Sequence, residues 1–122
     1  MTASILTVDD SASLRLATRI ALTGAGYTVA EASDGVEGLA KARGCRFDLI
    51  ITDLNMPNMD GLTMIRQIRQ LPIQTGTPII FLSTESDDGL KQQAKAAGAT
   101  GWLVKPFQPE QLLRITQKVL AR

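Results

Sequence analysis

The chain has 122 residues, 44% of them hydrophobic, and carries 13 Lys plus Arg against 12 Asp plus Glu. That length suits one compact domain around one core, and the near-neutral balance excludes the broad positive field that holds a nucleic acid backbone or an anionic membrane. The absence of histidine excludes His-dependent triads, His metal ligands and any phosphohistidine formed within the chain.

Short apolar runs alternate with amphipathic stretches along the whole sequence, without a linker, repeat or low-complexity segment. The first strand is expected over residues 4 to 8 (SILTV). A helix follows with Leu14, Ala17 and Ala21 as its inward stripe, capped by Asp10 or Ser11. The second strand, residues 27 to 32 (YTVAEA), alternates Tyr27 and Val29 with Thr28 and Ala30, as suits a sheet edge. Strand three, residues 47 to 52 (FDLIIT), is almost continuously apolar, as expected where helices cover both faces of a parallel sheet. Asp60 should cap a third helix, whose stripe is Leu62, Ile65 and Ile68. Strand four spans residues 78 to 83 (PIIFLS). A fourth helix near 87 to 97, started by Ser86 or Asp87, offers only Leu90, Ala94 and Ala97 to the core and should be weakly held. Strand five spans residues 100 to 104 (TGWLV), and Pro109 opens a last helix with Leu112, Ile115 and Val119 inward. Gly24, Gly26, Gly44 and Gly98 fall where helices should end.

Five βα units with short connections predict a single α/β domain over residues 1–122: a doubly wound five-stranded parallel sheet in the order 2-1-3-4-5, with helices on both faces. Cys45, the only cysteine, precludes an internal disulfide and reads as a small filler residue near a helix end. No apolar run approaches the roughly 18 residues of a membrane span, and the amino terminus lacks the pattern of a cleaved leader. A cytoplasmic location and a monomer are expected.

Sites in such sheets form beyond the carboxyl ends of the strands, where the winding reverses. Asp9 and Asp10 follow strand one, Asp53 follows strand three, Ser83 ends strand four and Lys105 follows strand five. Singly, each has an ordinary structural explanation. The Asp pair can cap a helix, Asp53 can open a turn in DLNMPNMDG, Ser83 can be a satisfied strand-end hydroxyl, and Lys105 can be a solvated charge. Together, three carboxylates at one edge repel one another unless a cation lies among them. All-oxygen donors select a hard cation, and Mg²⁺ suits few protein ligands better than Ca²⁺. A carboxylate beside such an ion and an ammonium has what phosphoryl transfer needs, charge neutralisation and positioning, with the Ser83 hydroxyl available to a transferred phosphoryl oxygen.

The motifs VDDS, ITDLNMPNMDG, FLSTES and GWLVKPF resemble, in order and spacing, those of the response-regulator receiver family, over essentially the whole chain and with most likeness to its stand-alone chemotaxis members. The resemblance implies that Asp53 is the phosphoacceptor, that Asp10, Asp53 and the Asn55 backbone carbonyl bind Mg²⁺, and that Asp9 assists through water. It assigns Lys105 as the family's lysine, with a cis bond to Pro106. It makes a chemotaxis-type histidine kinase the phosphodonor, with small acyl phosphates as alternative donors. Asn55 and Glu85 fall where the family tunes phosphoryl lifetime and imply rapid loss of phosphate. Ser83 stands where Thr is frequent but retains the hydroxyl. Trp102 stands where the chemotaxis type has a smaller aromatic that turns inward on activation, and it reads either as that switch or as a packing residue.

By the same resemblance the chain is not a turnover enzyme but a two-component switch that catalyses its own phosphorylation and dephosphorylation. Nothing is seen to follow the last helix, so output is expected through a separate protein, possibly the flagellar motor switch, and not by direct nucleic acid binding. Lys91, Lys95, Trp102 and Lys118 are candidate contacts on the face of helix 4, strand 5 and helix 5. A phosphorelay intermediate and a receiver cut from a longer regulator remain open. From other classes, a Mg²⁺-dependent aspartyl-phosphate phosphatase would need a second Asp two residues after the first, where Asn55 stands, and an FMN carrier would need a phosphate cradle where Asp9 and Asp10 stand.

Overall fold

A computed structural model describes residues 2–83 and 88–121. In chain order these form β1 (Ser4–Val8), α1 (Ala12–Gly24), β2 (Thr28–Ala32), α2 (Gly35–Gly44), β3 (Leu49–Asp53), α3 (Gly61–Ile68), β4 (Ile79–Ser83), α4 (Asp88–Ala97), β5 (Gly101–Val104) and α5 (Pro109–Leu120). The five strands are parallel and ordered β2-β1-β3-β4-β5, the predicted arrangement.

The apolar strands divide their side chains by parity, as the pleat demands. Leu6, Val8, Ile50, Ile79 and Phe81 join Leu39, Ala42, Met64, Ile65, Ile68, Ala94 and Ala97 in a core beneath α2, α3 and α4. Ile5, Leu49, Ile51, Ile80 and Leu82 join Leu22 and Leu112 in a second core beneath α1 and α5. Burial on both faces explains why β1, β3 and β4 lack the alternation of a half-exposed strand.

Three expectations are corrected. The inward residues of α1 are Thr18 and Leu22, with Leu14 and Ala21 half-buried and Ala17 exposed. The predicted stripe was out of phase because a threonine occupies a core position that a search for apolar residues passes over. In α5, Leu112 is buried as expected, but Thr116 is its fully buried companion, while Ile115 and Val119 are only partly covered. Cys45 is exposed at the end of α2 and fills no core space.

Most strands begin one or two residues later than expected, so Asp53 is the last residue of β3 instead of the first after it. Ser11 caps α1 through the Leu14 N–H at 3.3 Å, and Asp60 caps α3 through the Thr63 N–H at 2.8 Å. Pro109 starts α5, with the Gln108 N–H donating to Gln111 Oε1 at 2.7 Å. Gly26 and Gly98, at φ +97° and +115°, turn the chain out of α1 and α4 in the left-handed region that glycine tolerates. The proposed caps of α4, Ser86 and Asp87, lie outside the described residues, as does Glu85. As anticipated, α4 buries mainly small side chains: Ala94 and Ala97 are buried and Leu90 is half-buried.

Candidate functional site

Strand register brings the polar residues together. Val8 pairs with Thr52, so Asp9 and Asp53 leave neighbouring strands side by side. Asp53 pairs with Leu82, and Ser83 pairs with Val104. The Lys105 N–H then donates to the Ser83 carbonyl at 2.7 Å, which places the lysine stem at the same edge. The Lys105–Pro106 peptide bond is cis, as expected.

Asp9 and Asp53 are buried and Asp10 is exposed, and each offers a carboxylate oxygen to a group in which these oxygens lie within 4.8 Å of one another. The two buried acids are held alike. Asp53 Oδ1 accepts the Leu54 N–H at 2.8 Å and Oδ2 accepts from Lys105 Nζ at 3.0 Å. Asp9 Oδ1 accepts the Ser11 N–H at 2.9 Å and Oδ2 accepts from the same ammonium at 3.3 Å. Each acid thus uses one oxygen on its local backbone and shares the cation with the other. The Asn55 N–H reaches Asp53 Oδ1 only at 3.5 Å.

Burial pushes the Asp9 carboxyl above the ordinary range, and the charge of Asp53 adds to this, against the Ser11 N–H and Lys105. Burial by itself would lower the Lys105 ammonium, but its bond to Asp53 and the charges of both acids outweigh that cost and raise it. With all groups ionised, three carboxylates and one ammonium give a formal charge of −2. An all-oxygen set of that charge, with one exposed member open to solvent, fits a hard divalent cation such as Mg²⁺ and offers nothing to a soft metal. Asp9, Asp10 and Asp53 are the side chains that would hold it.

A depression of about 410 Å³, bordered by Gly76, Pro78, Thr100 and Leu120, lies away from this edge. Its one carboxylate, Asp48, already accepts the Ser4 N–H at 2.7 Å. Chemistry, not volume, locates the site. Beside the site, Leu14, Lys105, Pro106 and Phe107 line an apolar crevice of about 360 Å³.

Ser83 is buried at the end of β4. Trp102 is 38% exposed on β5, with its ring stacked 6.2 Å from that of Phe81 and Lys91 Nζ 4.6 Å from the indole centroid. Lys95 and Lys118 are exposed on α4 and α5. Four contributors escaped the sequence reading. Gly61 lies so close to Asp53 that a Cβ there would stand 2.3 Å from the Asp53 carbonyl oxygen; the MDG turn was its signal. Asp34 accepts from Asn58 Nδ2 at 2.8 Å and so ties the β3–α3 loop to the start of α2. Asn58 itself adopts a φ of +69°, and asparagine is one of the few residues enriched there. Arg15 reaches back to the Asp9 carbonyl, which no local motif announces.

Comparison with known proteins agrees with this geometry. The response regulator receiver domain profile matches residues 5–117. The transcriptional regulatory protein ResD of Bacillus subtilis is 37% identical over 118 residues, covering 97% of this chain and 48% of ResD. The response regulator ArlR of Staphylococcus epidermidis is 41% identical over 119 residues, covering 98% and 53%. The chain therefore spans about half the length of these curated relatives. Among solved structures, the chemotaxis protein CheY4 of Vibrio cholerae is 50% identical with a TM-score of 0.95, covering 98% of this chain and all of that one. The receiver domain of the sensor histidine kinase PA1611 of Pseudomonas aeruginosa, solved with a magnesium ion coordinated in its active site cleft, is 30% identical with a TM-score of 0.92, each chain being fully covered. By sequence profile and by fold, the chain belongs to the response regulator receiver domain family of two-component systems.

Proposed function

We propose that Asp53 accepts a phosphoryl group from a phosphohistidine of a partner kinase, and that the resulting acyl phosphate switches binding of a downstream protein. The observation that carries this reading is the shared ammonium: Lys105 lies 3.0 Å from Asp53 Oδ2 and 3.3 Å from Asp9 Oδ2. An Asp53 carboxylate oxygen attacks phosphorus, the P–N bond breaks, and the imidazole leaves with the electron pair and is then protonated from solvent. Lys105 exchanges its bond with the attacking carboxylate for one with the transferred phosphoryl oxygens, whose charge it offsets. The Leu54 N–H keeps Oδ1 in place, and Asp9 holds the ammonium at the edge. When bound, Mg²⁺ would supply neutralisation of the phosphoryl oxygens; Asp10, Asp53 and the Asn55 carbonyl would hold it, with Asp9 assisting through water. Ser83 answers the new phosphoryl group, Trp102 reports the change, and Asn55 with Glu85 sets a short phosphoryl lifetime.

Because the carboxylate is consumed and regenerated, the chain is a switch that catalyses its own modification and not a turnover enzyme. Likeness to the chemotaxis protein CheY4 over 98% of this chain and all of that one supports a chemotaxis role; this reading takes a chemotaxis-type kinase as the donor and the flagellar motor switch as the target. A second reading, the regulatory half of a transcription regulator, is supported by ResD and ArlR. Among the described residues no helix is long and apolar enough to cross a membrane; a cytoplasmic location and a monomeric state complete this reading.

Intact mass after incubation with a small acyl phosphate tests the core of the proposal. A phosphate-sized gain that needs both Mg²⁺ and Asp53, and is lost in Asp53→Asn, is expected. No gain in a chain shown to bind Mg²⁺ and incubated with several cognate kinases would sink it.

A further inference from the structure

Asp9 and Asp10 occupy the junction where β1 ends and α1 begins, and a junction of this kind is mobile unless its main chain is tied down. Here it is tied from both sides. The Asp9 N–H donates to the Ala32 carbonyl of β2 at 3.1 Å. The Asp9 carbonyl accepts from Arg15 Nη1 at 2.5 Å. Arg15 is on the first turns of α1, with a side chain only 20% exposed, and its Nε lies 3.5 Å from Glu31 Oε1 on β2. Glu31 is itself steadied by Arg19 Nη1 at 3.1 Å and, through its carbonyl, by the Lys41 ammonium.

The Asp9 carbonyl belongs to the peptide that joins Asp9 to Asp10. A peptide is planar, so fixing its oxygen fixes the nitrogen of Asp10 and narrows the directions in which the exposed Asp10 side chain can leave. Asp9 has further anchors of its own, the Ser11 N–H and Lys105. Among the described residues, no side chain hydrogen-bonds or ion-pairs with the Asp10 carboxylate, so that acid depends on its backbone for placement.

On this basis, and resting on the reading of Asp9, Asp10 and Asp53 as a Mg²⁺ site, we infer that Arg15, anchored by Glu31, is a positioning residue for that site. It orients the peptide plane between the two acids and touches neither the ion nor the phosphoryl group.

The sign of one measurement separates this role from plain electrostatics. Removing a positive charge near an acidic site strengthens cation binding by Coulomb attraction alone. Losing a positioning contact weakens it, by about 10-fold or more where such contacts support metal ligands. Mg²⁺ affinity is to be measured by isothermal titration calorimetry on wild type, Arg15→Met and Arg15→Lys, with thermal unfolding in chelator as the control for folding. Arg15→Met keeps the stem and should weaken Mg²⁺ binding about 10-fold. Arg15→Lys keeps the charge but cannot grip the carbonyl and Glu31 together, and should weaken it by about 3-fold. Mg²⁺ binding as tight as wild type or tighter in Arg15→Met overturns the assignment. Should Arg15→Met prove unfolded, Arg15→Lys decides in the same way. A wild type that binds no Mg²⁺ overturns this inference and the proposed function together. One that binds Mg²⁺ with the expected Arg15 dependence, yet takes up no phosphoryl group, overturns only the latter.

Discussion

Gly61→Ala should damage the protein out of proportion to the methyl group it adds. Gly61 opens α3, and its N–H donates to the Leu54 carbonyl at 2.9 Å. A Cβ at this position would stand 2.3 Å from the Asp53 carbonyl oxygen and 2.8 Å from Leu54 Cα. Non-bonded heavy atoms settle near roughly 3.5 Å, so the start of α3 must retreat by about 1 Å from β3. Both obstacles are backbone, which cannot swing aside as a side chain would. Overpacking of this kind costs about 1–3 kcal/mol, and the stretched Gly61–Leu54 bond adds up to about 1 kcal/mol. The helical preference of Ala over Gly returns at most about 1 kcal/mol. A net loss of about 1–3 kcal/mol is expected. Gly44→Ala is the control: it also lies at a helix end but meets nothing within 4 Å, and should be neutral or stabilising by up to about 1 kcal/mol. Urea unfolding of both variants reads the difference directly. Because the displaced atoms belong to Asp53, phosphoryl uptake from a small acyl phosphate should fall about 10- to 100-fold in Gly61→Ala. Equal stability of the two variants, or wild-type uptake in Gly61→Ala, would refute the close-approach account.

Other perturbations have equally definite outcomes. Lys105→Met leaves Asp9 and Asp53 without their shared cation; in chelator at neutral pH it should cost about 2 kcal/mol, less with Mg²⁺ present. The cost should shrink on acidification: burial raises the Asp9 carboxyl and Lys105 opposes that rise, so without the lysine the carboxyl is raised further and the variant gains more folded-state stability than the wild type as it takes up a proton. A cost that is independent of pH would show that the acids do not sense the lysine. Asp34 and Glu37 show the opposite shift. The Glu37 N–H and the Asn58 amide hold Asp34 below the usual range, and Ser33 does the same for Glu37. Their stabilising effect is therefore present above the ordinary carboxylate range and is lost as pH falls through their lowered values. Asp34→Asn, which keeps a capping oxygen but cannot titrate, should show a flatter loss of stability on acidification, and an unchanged slope in a pH series of melts would contradict the cap. Thr116 Oγ1 is buried without a hydrogen-bond partner among the described residues, so Thr116→Val should stabilise by about 1 kcal/mol. A destabilised valine variant in the same melts would mean that the hydroxyl is satisfied.

Much of this protein follows from the order of its residues. Strands covered on both faces must be apolar throughout, so β1, β3 and β4 stand out as unbroken runs, and a polar residue that ends such a run must lie at the sheet edge. That logic finds Asp9, Asp10, Asp53, Ser83 and Lys105 before any coordinate is known, because right-handed βα units leave the strand ends on one side. The phase of α1 and α5 was less legible. Thr18 and Thr116 take core positions by shape, and a threonine carries no apolar signal. The gathering of the acids and Lys105 at one edge was legible, but the individual long-range contacts were not. Only the packed sheet places one ammonium between two acids 44 residues apart in the chain, carries Asp34 to Asn58, and sends Arg15 back to the Asp9 carbonyl. The reason is physical: periodicity records which side of an element faces inward, a property of neighbours in sequence. Which atoms meet at a strand end depends on register, twist and helix placement, and these exist only once the whole core has closed.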